Sequence, residues 1–268
     1  MTTTEGFQVS LDAAEQYEAR FVPAIFAEWA PLLADIAGVR AGQSVLDVAC
    51  GTGIVARTVA PRVTGTGRVV GVDLNDGMLA VARRVAPDLE WRQGDVTALP
   101  FVDGSFDAVL CQMALMFFPD RTAALREMAR VGRPGGVVAL TVPASLDDQP
   151  AYGPFVEMAV RVAGAEALSL LNTYWACGDL RELLNTVTGA GLAVTEIRTH
   201  AGTARFDSPD ELAVTEVEAS PLAARLTREQ YGAIRSGARK VLAPFTGPDG
   251  TLAAPLHGHL VAARVPSP

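Results

Sequence analysis

The chain has 268 residues, of which 49% are hydrophobic, and it carries a formal net charge of −8 at neutral pH. Lys240 is the only lysine and the arginines are scattered, which argues against a nucleic-acid substrate because gripping phosphates needs a basic face. No apolar run approaches membrane-spanning length, and Met1–Glu5 lacks the basic and apolar regions of a signal peptide, so we expect a cytoplasmic protein without a membrane span.

Two helices are predicted ahead of the first strand. A capping box of Asp12 and Glu15 favours a start near residue 12, and Pro23 suits the first turn of a second helix. Tyr17 and Phe21 fall on one face of the first helix. They either pack on the sheet or cover a ligand, and the pattern alone leaves both interpretations open.

A strand, a turn of small residues and a helix follow one another at residues 44–60. Ser44–Val48 is short, apolar and β-branched, as a central parallel strand is, and the run from Ala49 to Gly53 lets the backbone bend sharply. A helix starting at Ile54 directs its first N–H groups back over this turn. Nucleotides bind at such a place, and Asp73, which ends the next strand, is placed to accept hydrogen bonds from ribose hydroxyls.

The spacing around this turn narrows the class of nucleotide. Ile54 and Val55 follow Gly53, so the third glycine of a dinucleotide fingerprint is missing, and no Lys-Ser/Thr pair of a Walker loop follows. Asp47 stands just ahead of the turn instead. A carboxylate and turn carbonyls suit a cationic amine better than a pyrophosphate, which favours a nucleoside that bears an amino acid.

The ends of the third and fourth strands add further candidates. Asp95 and Val96 end the third strand, where they are placed to contact an adenine, although a lone Asp in a turn is also a common helix cap. Leu74 directly follows the acid of the second strand and is placed to rest on the same ring. Phe106–Gln112 is predicted as the fourth strand, and Asp120 as the cap of the helix that follows.

As a set, these segments resemble the class I S-adenosylmethionine-dependent methyltransferases, most closely the methyltransferase type 11 branch related to quinone-biosynthesis C-methyltransferases. The resemblance covers roughly residues 10–145 and is carried by VLDVACGTG (45–53), VVGVDLNDGML (69–79), EWRQGDVTALPF (90–101), FDAVLCQMALMFFPD (106–120) and RVGRPGGVVAL (130–140). Ala49 stands where many relatives have the first glycine of the turn, a change that is tolerated if φ is negative there.

The resemblance implies a Rossmann-like α/β fold. Its sheet has seven strands, mostly parallel with an antiparallel last strand, with helices on both faces and helical lid insertions. It also implies S-adenosyl-L-methionine as the cofactor. The residues expected to bind this cofactor are Asp47, Ala49, Cys50, Gly51, Gly53, Asp73, Leu74, Met78, Gly94, Asp95, Val96, Cys111 and Gln112.

We expect one methyltransferase domain over residues 1–268. Residues 1–40 would form the N-terminal helices and 41–143 the cofactor-binding core, while 179–207 and 246–268 complete the sheet. The insertions 144–178 and 208–245 would form a helical lid on the acceptor side. Cys50, Cys111 and Cys177 are widely spaced and predict neither a disulfide framework nor a metal site.

Methyl transfer from a sulfonium is an in-line displacement that needs alignment and exclusion of water more than a catalytic dyad. We expect an apolar small-molecule acceptor, such as a quinone-like molecule or a natural product. The residues expected to line its pocket are Tyr17, Phe21, Phe117, Tyr174 and Trp175. If a proton must be removed, the candidate bases or contacts are Gln112, His200 and His257, and a structural role for each histidine stays open.

Other functions fit the same pattern less well. One alternative is an enzyme of the same fold that binds S-adenosylmethionine but catalyses a reaction such as cyclisation without transferring the methyl group. A binding module is a second, and an NAD(P)-dependent oxidoreductase is disfavoured by the missing glycine. The acceptor, the choice among O-, N- and C-methylation, and the oligomeric state, monomer or homodimer, are left open.

Overall fold

The computed structural model describes residues 9–218 and 222–267. Met1–Glu5, where a signal peptide was sought, lies outside the described residues. Within these ranges the strands are Ser44–Val48 (β1), Arg68–Asp73 (β2), Glu90–Gln93 (β3), Phe106–Gln112 (β4), Gly132–Pro143 (β5), Ala193–Phe206 (β6) and Leu252–Arg264 (β7).

Helices surround the strands in sequence. The α-helices are Leu11–Gln16 (α1), Trp29–Ile36 (α2), Ile54–Val59 (α3), Asp76–Val85 (α4), Arg121–Val131 (α5), Tyr152–Ala163 (α6), Glu166–Leu171 (α7), Leu180–Gly189 (α8), Pro209–Glu218 (α9) and Arg228–Val241 (α10). Tyr17–Phe26 forms a π-helix between α1 and α2. In the described ranges, no helix combines the length and the apolar character needed to cross a bilayer.

The seven strands form one sheet in the order β3-β2-β1-β4-β5-β7-β6. Strands β1 to β5 pair in parallel, with Asp47 of β1 aligned to Gly71 of β2 and to Leu110 of β4. β7 is antiparallel to β5, since Gly135 N donates to Val265 O while Ala144 N donates to His257 O, each over 2.9 Å. The predicted fold class is thereby confirmed.

Contacts divide the chain into two compact units. The first comprises Met1–Val142, Leu180–Thr199 and His259–Pro268, and its core includes Leu46, Val70 and Leu110. The second comprises Pro143–Asp179 and His200–Gly258, and it holds α6, α7, α9 and α10. Both predicted insertions, 144–178 and 208–245, fall within the second unit. Their role as a lid stays a prediction.

Several local predictions were wrong for identifiable reasons. β6 and β7 extend well beyond 192–197 and 256–263, the segments whose apolar residues predict strands. The two strands are neighbours in the sheet, and the added residues do not follow a regular apolar and polar alternation. The sequence Arg-Pro-Gly-Gly at 133–136 predicts a turn, but these residues belong to β5. Their backbone pairs with Val265, which accepts from Gly135 N and donates to Gly136 O.

The N-terminal helices also start differently from the prediction. Ser10, rather than the Asp12 capping box, caps α1, and its hydroxyl accepts a bond from Ala13 N at 3.2 Å. Pro23 does not start a helix but lies inside the π-helix, where Ala27 N donates to Val22 O at 2.8 Å, one residue further back than in an α-helix. Proline and π-type turns are known places where helical winding changes.

Candidate functional site

The turn after β1 is held in an unusual backbone conformation. Cys50 N donates to Val72 O over 3.0 Å, and Gly53 N donates to Cys50 O over 2.8 Å, which closes the turn against β2. Gly51 and Gly53 have φ of 54° and 89°, in the left-handed region, as the predicted turn requires. Ala49 also has a positive φ, 53°, so the negative φ that would let alanine replace glycine without strain is not present. This conformation costs an L-residue about 1–2 kcal/mol.

Trp91 of β3 fills the space behind this turn. A methyl group at Gly53 or at Gly71 would overlap its six-membered ring, and one at Gly71 would also lie 3.0 Å from Cys50 Sγ. Trp91 is only 9% exposed, and its Nε1 donates to Ala86 O over 2.9 Å. Packing against Trp91 therefore requires glycine at position 53, in addition to the predicted approach of a ligand. The sequence analysis missed this packing requirement.

Asp73 ties the end of β2 to the glycine turn. Its Oδ2 accepts a bond from Gly51 N and its Oδ1 one from Asn75 N, each at 2.8 Å. Burial raises the pKa of this carboxyl, although the hydrogen bonds from Asn75 and Gly51 oppose the shift. The side chain is fixed at the predicted strand end by backbone hydrogen bonds from Asn75, Gly51 and Leu74, and its contact with a ribose stays a prediction.

Asp47 lies deeper, beneath the start of α3. Its side chain is 1% exposed, and Oδ2 accepts a bond from Ala56 N at 2.9 Å. Burial raises the pKa of Asp47 to about 8, with a further contribution from the charge of Asp73. Neither carboxylate forms an ion pair with a described residue. The site thus holds two carboxyl groups with raised pKa values, neither of them in an ion pair within the described ranges, and the role of Asp47 beside a cationic ligand stays a prediction.

The third strand ends in a capped turn. Asp95 Oδ1 accepts from both the backbone N and the hydroxyl of Thr97, each at 2.8 Å, and caps the 3₁₀ turn that begins at Val96. The cap interpretation therefore holds, and the exposed side chain still leaves room for the predicted adenine contact. Gly94 N donates to Asp73 O at 3.0 Å, which joins the second and third strand ends.

Leu74 and Met78 follow Asp73 and lie beside the same edge of the sheet. Both are half-buried, so each presents apolar surface. Leu74 O accepts a bond from Gln93 Nε2 at 3.2 Å, while Met78 N donates to the capping Asn75 at 3.1 Å. The Leu74 backbone is thus tied to the end of the third strand and the Met78 backbone to the cap of its own helix, and their predicted contact with the cofactor stays a prediction.

Thr141 of β5 lies beside Gln112 at the end of β4, and the sequence analysis missed it. Gln112 Nε2 donates to Phe26 O over 3.1 Å, and Gln112 aligns with Thr141 of β5. Gln112 Oε1 and Thr141 Oγ1 are both buried without a hydrogen-bond partner in the described part of the chain. Aligned positions on neighbouring strands face the same side, so two polar groups here can accept a ligand or a water. Only the strand register reveals Thr141.

Two of the predicted cofactor residues are buried cysteines. Cys111, on β4, is 1% exposed. The Cys50 thiol points toward Gly71, and burial, together with the charges of Asp47 and Asp73, raises its pKa well above the usual range. Its thiol is therefore not poised as a nucleophile. Any contact of Cys50 with a ligand would be made by its backbone in the turn.

The π-helix places aromatic rings over the glycine turn. The Tyr17 ring lies so close that a methyl group on Gly51 would be 3.6 Å from its Cε1. Tyr17 also stacks on Phe21, with ring centroids 5.7 Å apart, and on Phe26 at 5.2 Å. Tyr17 therefore lies over the glycine turn, with Phe21 and Phe26 stacked on it. This arrangement favours the interpretation in which Tyr17 and Phe21 cover a ligand over the one in which they pack on the sheet.

A salt bridge fastens the π-helix to the turn. Arg57 of α3 pairs with Glu18 at 2.9 Å, and its Nε donates to Gly53 O at 3.3 Å. Both side chains are about three-quarters buried, with 26% and 20% exposure. One guanidinium thus joins the aromatic cover to the last glycine of the turn.

The remaining acceptor candidates are distributed over both units. Phe117 and Phe118 of the first unit are both partly exposed, while Leu115 and Met116 before them are buried in the core. Tyr174 and Trp175 lie in the second unit. There the Trp175 ring packs on the ring of Tyr152, with centroids 5.2 Å apart.

The candidate histidines lie on β6 and β7. His200 and His257 belong to the second unit, and the backbone of His257 is fixed by Gln149, whose Oε1 accepts from its N at 2.9 Å and whose Nε2 donates to its O at 2.8 Å. His259, in the first unit, lies 3.0 Å from the Thr199 hydroxyl through Nδ1. In the described ranges, no group of three His, Cys, Asp or Glu side chains is arranged to hold a metal.

A cavity of about 340 Å³ lies in the first unit at the amino ends of the strands, opposite the glycine turn. It is lined by Arg40, Asp107 and Arg133 among others, and Asp107 is already paired with Arg133. Ligands of open parallel sheets bind at the carboxyl ends of the strands. We therefore assign the site to the glycine turn rather than to this cavity.

Comparisons with known proteins agree with this assignment. Residues 46–140 match the model of the methyltransferase domain family. A demethylmenaquinone methyltransferase from Renibacterium salmoninarum is 41% identical over 127 residues, which are 47% of this chain and 51% of that protein. The chain thus spans about half the length of this curated relative.

Solved structures share the fold over most of the chain. A Bacillus halodurans protein to which a methyltransferase function has been ascribed is 23% identical, with a TM-score of 0.62, over 89% of this chain and 99% of that one. Phosphoethanolamine N-methyltransferase 2 of Haemonchus contortus, solved with S-adenosyl-L-methionine, is 19% identical, with a TM-score of 0.62, over 100% of this chain and 61% of that one. Residues 46–140 therefore resemble the methyltransferase domain family that the strand-end motifs predict, and most of the chain shares the fold of these solved structures.

Proposed function

We propose that this chain is an S-adenosyl-L-methionine-dependent methyltransferase that acts on an apolar small molecule. The observation that carries the proposal is the pair of carboxyl groups at the glycine turn. Asp47 and Asp73 lie close enough for one to raise the pKa of the other, and neither is paired with a cation in the described ranges. A cationic ligand beside them would lower these raised pKa values and bind to the ionised carboxylates. A sulfonium nucleoside that carries an ammonium group has that charge.

The residues present suit the parts of this cofactor. Asp73 would accept hydrogen bonds from the ribose hydroxyls, while Asp95, Val96 and Leu74 would contact the adenine. The backbone of the Ala49–Gly53 turn would hold the amino-acid tail near the buried carboxyl group of Asp47. The support is the location of these groups at neighbouring carboxyl ends of the sheet, where ligands of such folds bind.

When bound, this cofactor supplies an electrophilic methyl group. The contribution of the chain is to align the cofactor with the acceptor and to keep water away. Tyr17, stacked on Phe21 and Phe26, covers the turn and would exclude water from the sulfonium. Gln112 and Thr141 present buried acceptor oxygens on the neighbouring strands and would bind donor groups of cofactor or acceptor.

For the acceptor we propose a quinone-like or related aromatic molecule. Two points support this choice. The Renibacterium relative is named for demethylmenaquinone, and the second unit of this chain carries the aromatic pair Tyr152 and Trp175. Flat apolar acceptors pack well on aromatic side chains.

Calorimetric titration tests the cofactor. S-adenosylmethionine should bind more tightly than NAD⁺, and Asp73→Asn should weaken binding by about 10- to 100-fold, because hydrogen bonds to a charged group are worth about 1.5–3 kcal/mol. Asp76→Asn is the matched control, since Asp76 is exposed in the first turn of α4 and should leave affinity unchanged. Equal affinity of the Asp73 variant, or tighter NAD⁺ binding, would contradict the proposal.

Methyl-labelled cofactor tests the reaction. We expect label in a reduced naphthoquinone offered as acceptor, together with S-adenosylhomocysteine as product. Turnover of an acceptor with recovery of unchanged cofactor would instead support the cyclisation alternative. Tight binding of the cofactor without any reaction over a broad acceptor panel would support a binding module.

A further inference from the structure

The cavity at the amino ends of the strands has room for a small molecule. Its volume is about 340 Å³, and every residue that lines it belongs to the first unit. Sites for small molecules usually have volumes of about 300–1,000 Å³. Because the glycine turn lies at the carboxyl ends of the strands, a ligand in this cavity would be a second one, separate from the cofactor.

Three arginines, Arg40, Arg133 and Arg264, line this cavity. Arg133 is paired with Asp107, and Arg264 Nη1 donates to Gly135 O over 2.7 Å. The guanidinium of Arg40 makes neither a hydrogen bond nor an ion pair in the described ranges. Since a guanidinium has five N–H groups, all three arginines retain donors for a ligand.

The acids around the cavity do not cancel the charge of these arginines. Two carboxylates line it, those of Asp107 and Glu196. Asp107 is neutralised by its arginine on the cavity wall, and Glu196 by Arg198, which does not line the cavity, at 2.6 Å. The other two lining arginines therefore leave two positive charges uncompensated, in a chain whose formal net charge is −8.

Asp107 fixes one of the guanidiniums on the cavity wall. It is 9% exposed, its Oδ2 accepts a bond from Ser44 N at 2.7 Å, and its Oδ1 binds Arg133. The buried carboxylate is thus anchored to the backbone of β1. Arg133 therefore loses less conformational freedom on binding an anion than an unrestrained arginine would.

Gln43 adds a hydrogen-bond donor to the cavity. It lines the cavity, is 9% exposed, and its Oε1 accepts a bond from Arg40 N at 2.8 Å. That bond determines which end of the amide is the oxygen, and Nε2 has no hydrogen-bond partner in the described part of the chain. Buried amide groups are normally hydrogen-bonded, so a ligand or a water in the cavity is the expected acceptor.

We propose that this cavity binds a small molecule that carries a phosphate group. A phosphate monoester has a charge of about −1.5 to −2 at pH 7, which matches the two uncompensated guanidiniums. Planar guanidiniums bind phosphate oxygens through paired N–H groups. Arg40 and Arg264 pair with these oxygens, and Gln43 Nε2 donates one further bond. Arg133 supplies a third guanidinium, already held in place.

The charge of the cavity distinguishes this ligand from the proposed cofactor. The glycine turn has two carboxyl groups, which suit a cation, whereas the cavity has an excess of positive charge and repels one. Binding at the cavity also requires no methyl transfer. The second site therefore stands independently of the proposed function.

Calorimetric titration of the full chain with ribose 5-phosphate tests this site, with Arg181→Gln as the matched control for Arg40→Gln. Both arginines are exposed in the first unit and make no side-chain bond in the described ranges, but only Arg40 lines the cavity. Arg40→Gln should weaken binding about 10-fold, the lower end of the range for a hydrogen bond to a charged group, because its side chain is exposed. Arg181→Gln should bind within about twofold of wild type.

Gln43→Glu tests the buried donor. One carboxylate oxygen can still accept from Arg40 N, but the amide donor is replaced by a negatively charged acceptor. Ribose 5-phosphate should therefore bind at least about 10-fold more weakly. Circular dichroism verifies that each variant is folded, and the exposed Arg40 variant decides the matter if Gln43→Glu is not.

Other ligands test the chemistry of the occupant. Inorganic phosphate should bind more weakly than ribose 5-phosphate, since the cavity has room for more than the ion, and succinate more weakly still. Tighter binding of succinate would overturn the assignment to phosphate. Saturating S-adenosylmethionine should leave the affinity for ribose 5-phosphate unchanged, whereas competition between the two would place the phosphate at the glycine turn and overturn the second site.

Two results would overturn the second site outright. One is the absence of saturable binding of ribose 5-phosphate up to about 10 mM, and the other is equal affinity of Arg40→Gln and Arg181→Gln. Failure of the chain to bind S-adenosylmethionine would instead overturn the proposed function alone. Phosphate affinity that depends on Arg40 and Gln43 supports the second site in either case.

Discussion

Replacing Gly53 with alanine separates packing from binding at the glycine turn. The residue has a φ of 89°, a conformation that costs an L-residue about 1–2 kcal/mol, partly offset by about 0.4–1 kcal/mol from the stiffer unfolded chain. The new methyl group would also overlap Trp91, which is 9% exposed and bonded to Ala86 O. Forcing extra volume into a packed site adds about 1–3 kcal/mol.

The expected loss of stability for Gly53→Ala is therefore about 2–4 kcal/mol. For a chain of this size that corresponds to a fall in Tm of about 4–16 °C. Gly51→Ala is the matched control: its φ is 54°, but its methyl group would lie 3.6 Å from the Tyr17 ring, an ordinary contact. It should cost only about 1 kcal/mol.

Thermal unfolding followed by circular dichroism provides the comparison, and a double-mutant cycle with Trp91→Phe isolates the overlap. In the Trp91→Phe background, the smaller ring makes room, so Gly53→Ala should cost about as much as Gly51→Ala. Equal losses for the two glycine variants in the wild-type background would refute the packing role of Trp91. So would a cycle that shows no coupling between positions 53 and 91.

Two other changes test the charges and the strain of the turn. Asp47 has a pKa of about 8 in the folded chain against an ordinary 3.8, so its folded state holds a proton that the unfolded state has lost, and stability should fall between these pH values by up to about 1.4 kcal/mol per pH unit. Asp47→Asn should flatten this dependence in urea unfolding at pH 5, 6, 7 and 8; an unchanged slope would show that Asp47 is ionised in the folded state. Ala49→Gly should raise the urea midpoint, since relief of about 1–2 kcal/mol of left-handed strain exceeds the added chain entropy of about 0.5–1 kcal/mol. A lower midpoint would mean that the Ala49 methyl group makes compensating contacts.

The sequence predicts the structure best where a feature depends on residues that are close together in the chain. Ser44–Val48 and Phe106–Gln112 were predicted with the bounds that the structure shows, because continuous apolar runs of strand length ended by turn residues have few alternatives. Asp120 likewise caps α5, with its carboxylate accepting from Ala123 N at 2.8 Å. Each of these features depends on residues within a few positions of one another.

The sequence was least informative where a residue owes its role to distant packing. Nothing near Gly53 reveals Trp91, and nothing near Gln112 reveals Thr141, since strand register makes both pairs neighbours. The search for a base considered histidines because their ordinary pKa lies near neutrality. Glu216 reaches that range only through burial, which the sequence around it does not reveal.

The winding of Tyr17–Phe26 makes the aromatic cover sensitive to chain length. In an α-helix, nine residues advance the chain by about two and a half turns, which would set Tyr17 and Phe26 on opposite sides. Their rings are instead 5.2 Å apart, because each turn of the π-helix takes in more of the chain. Exchanging one ring for another therefore preserves the stack, whereas removing a single amino acid between them would rotate one ring away from its partner and uncover the glycine turn.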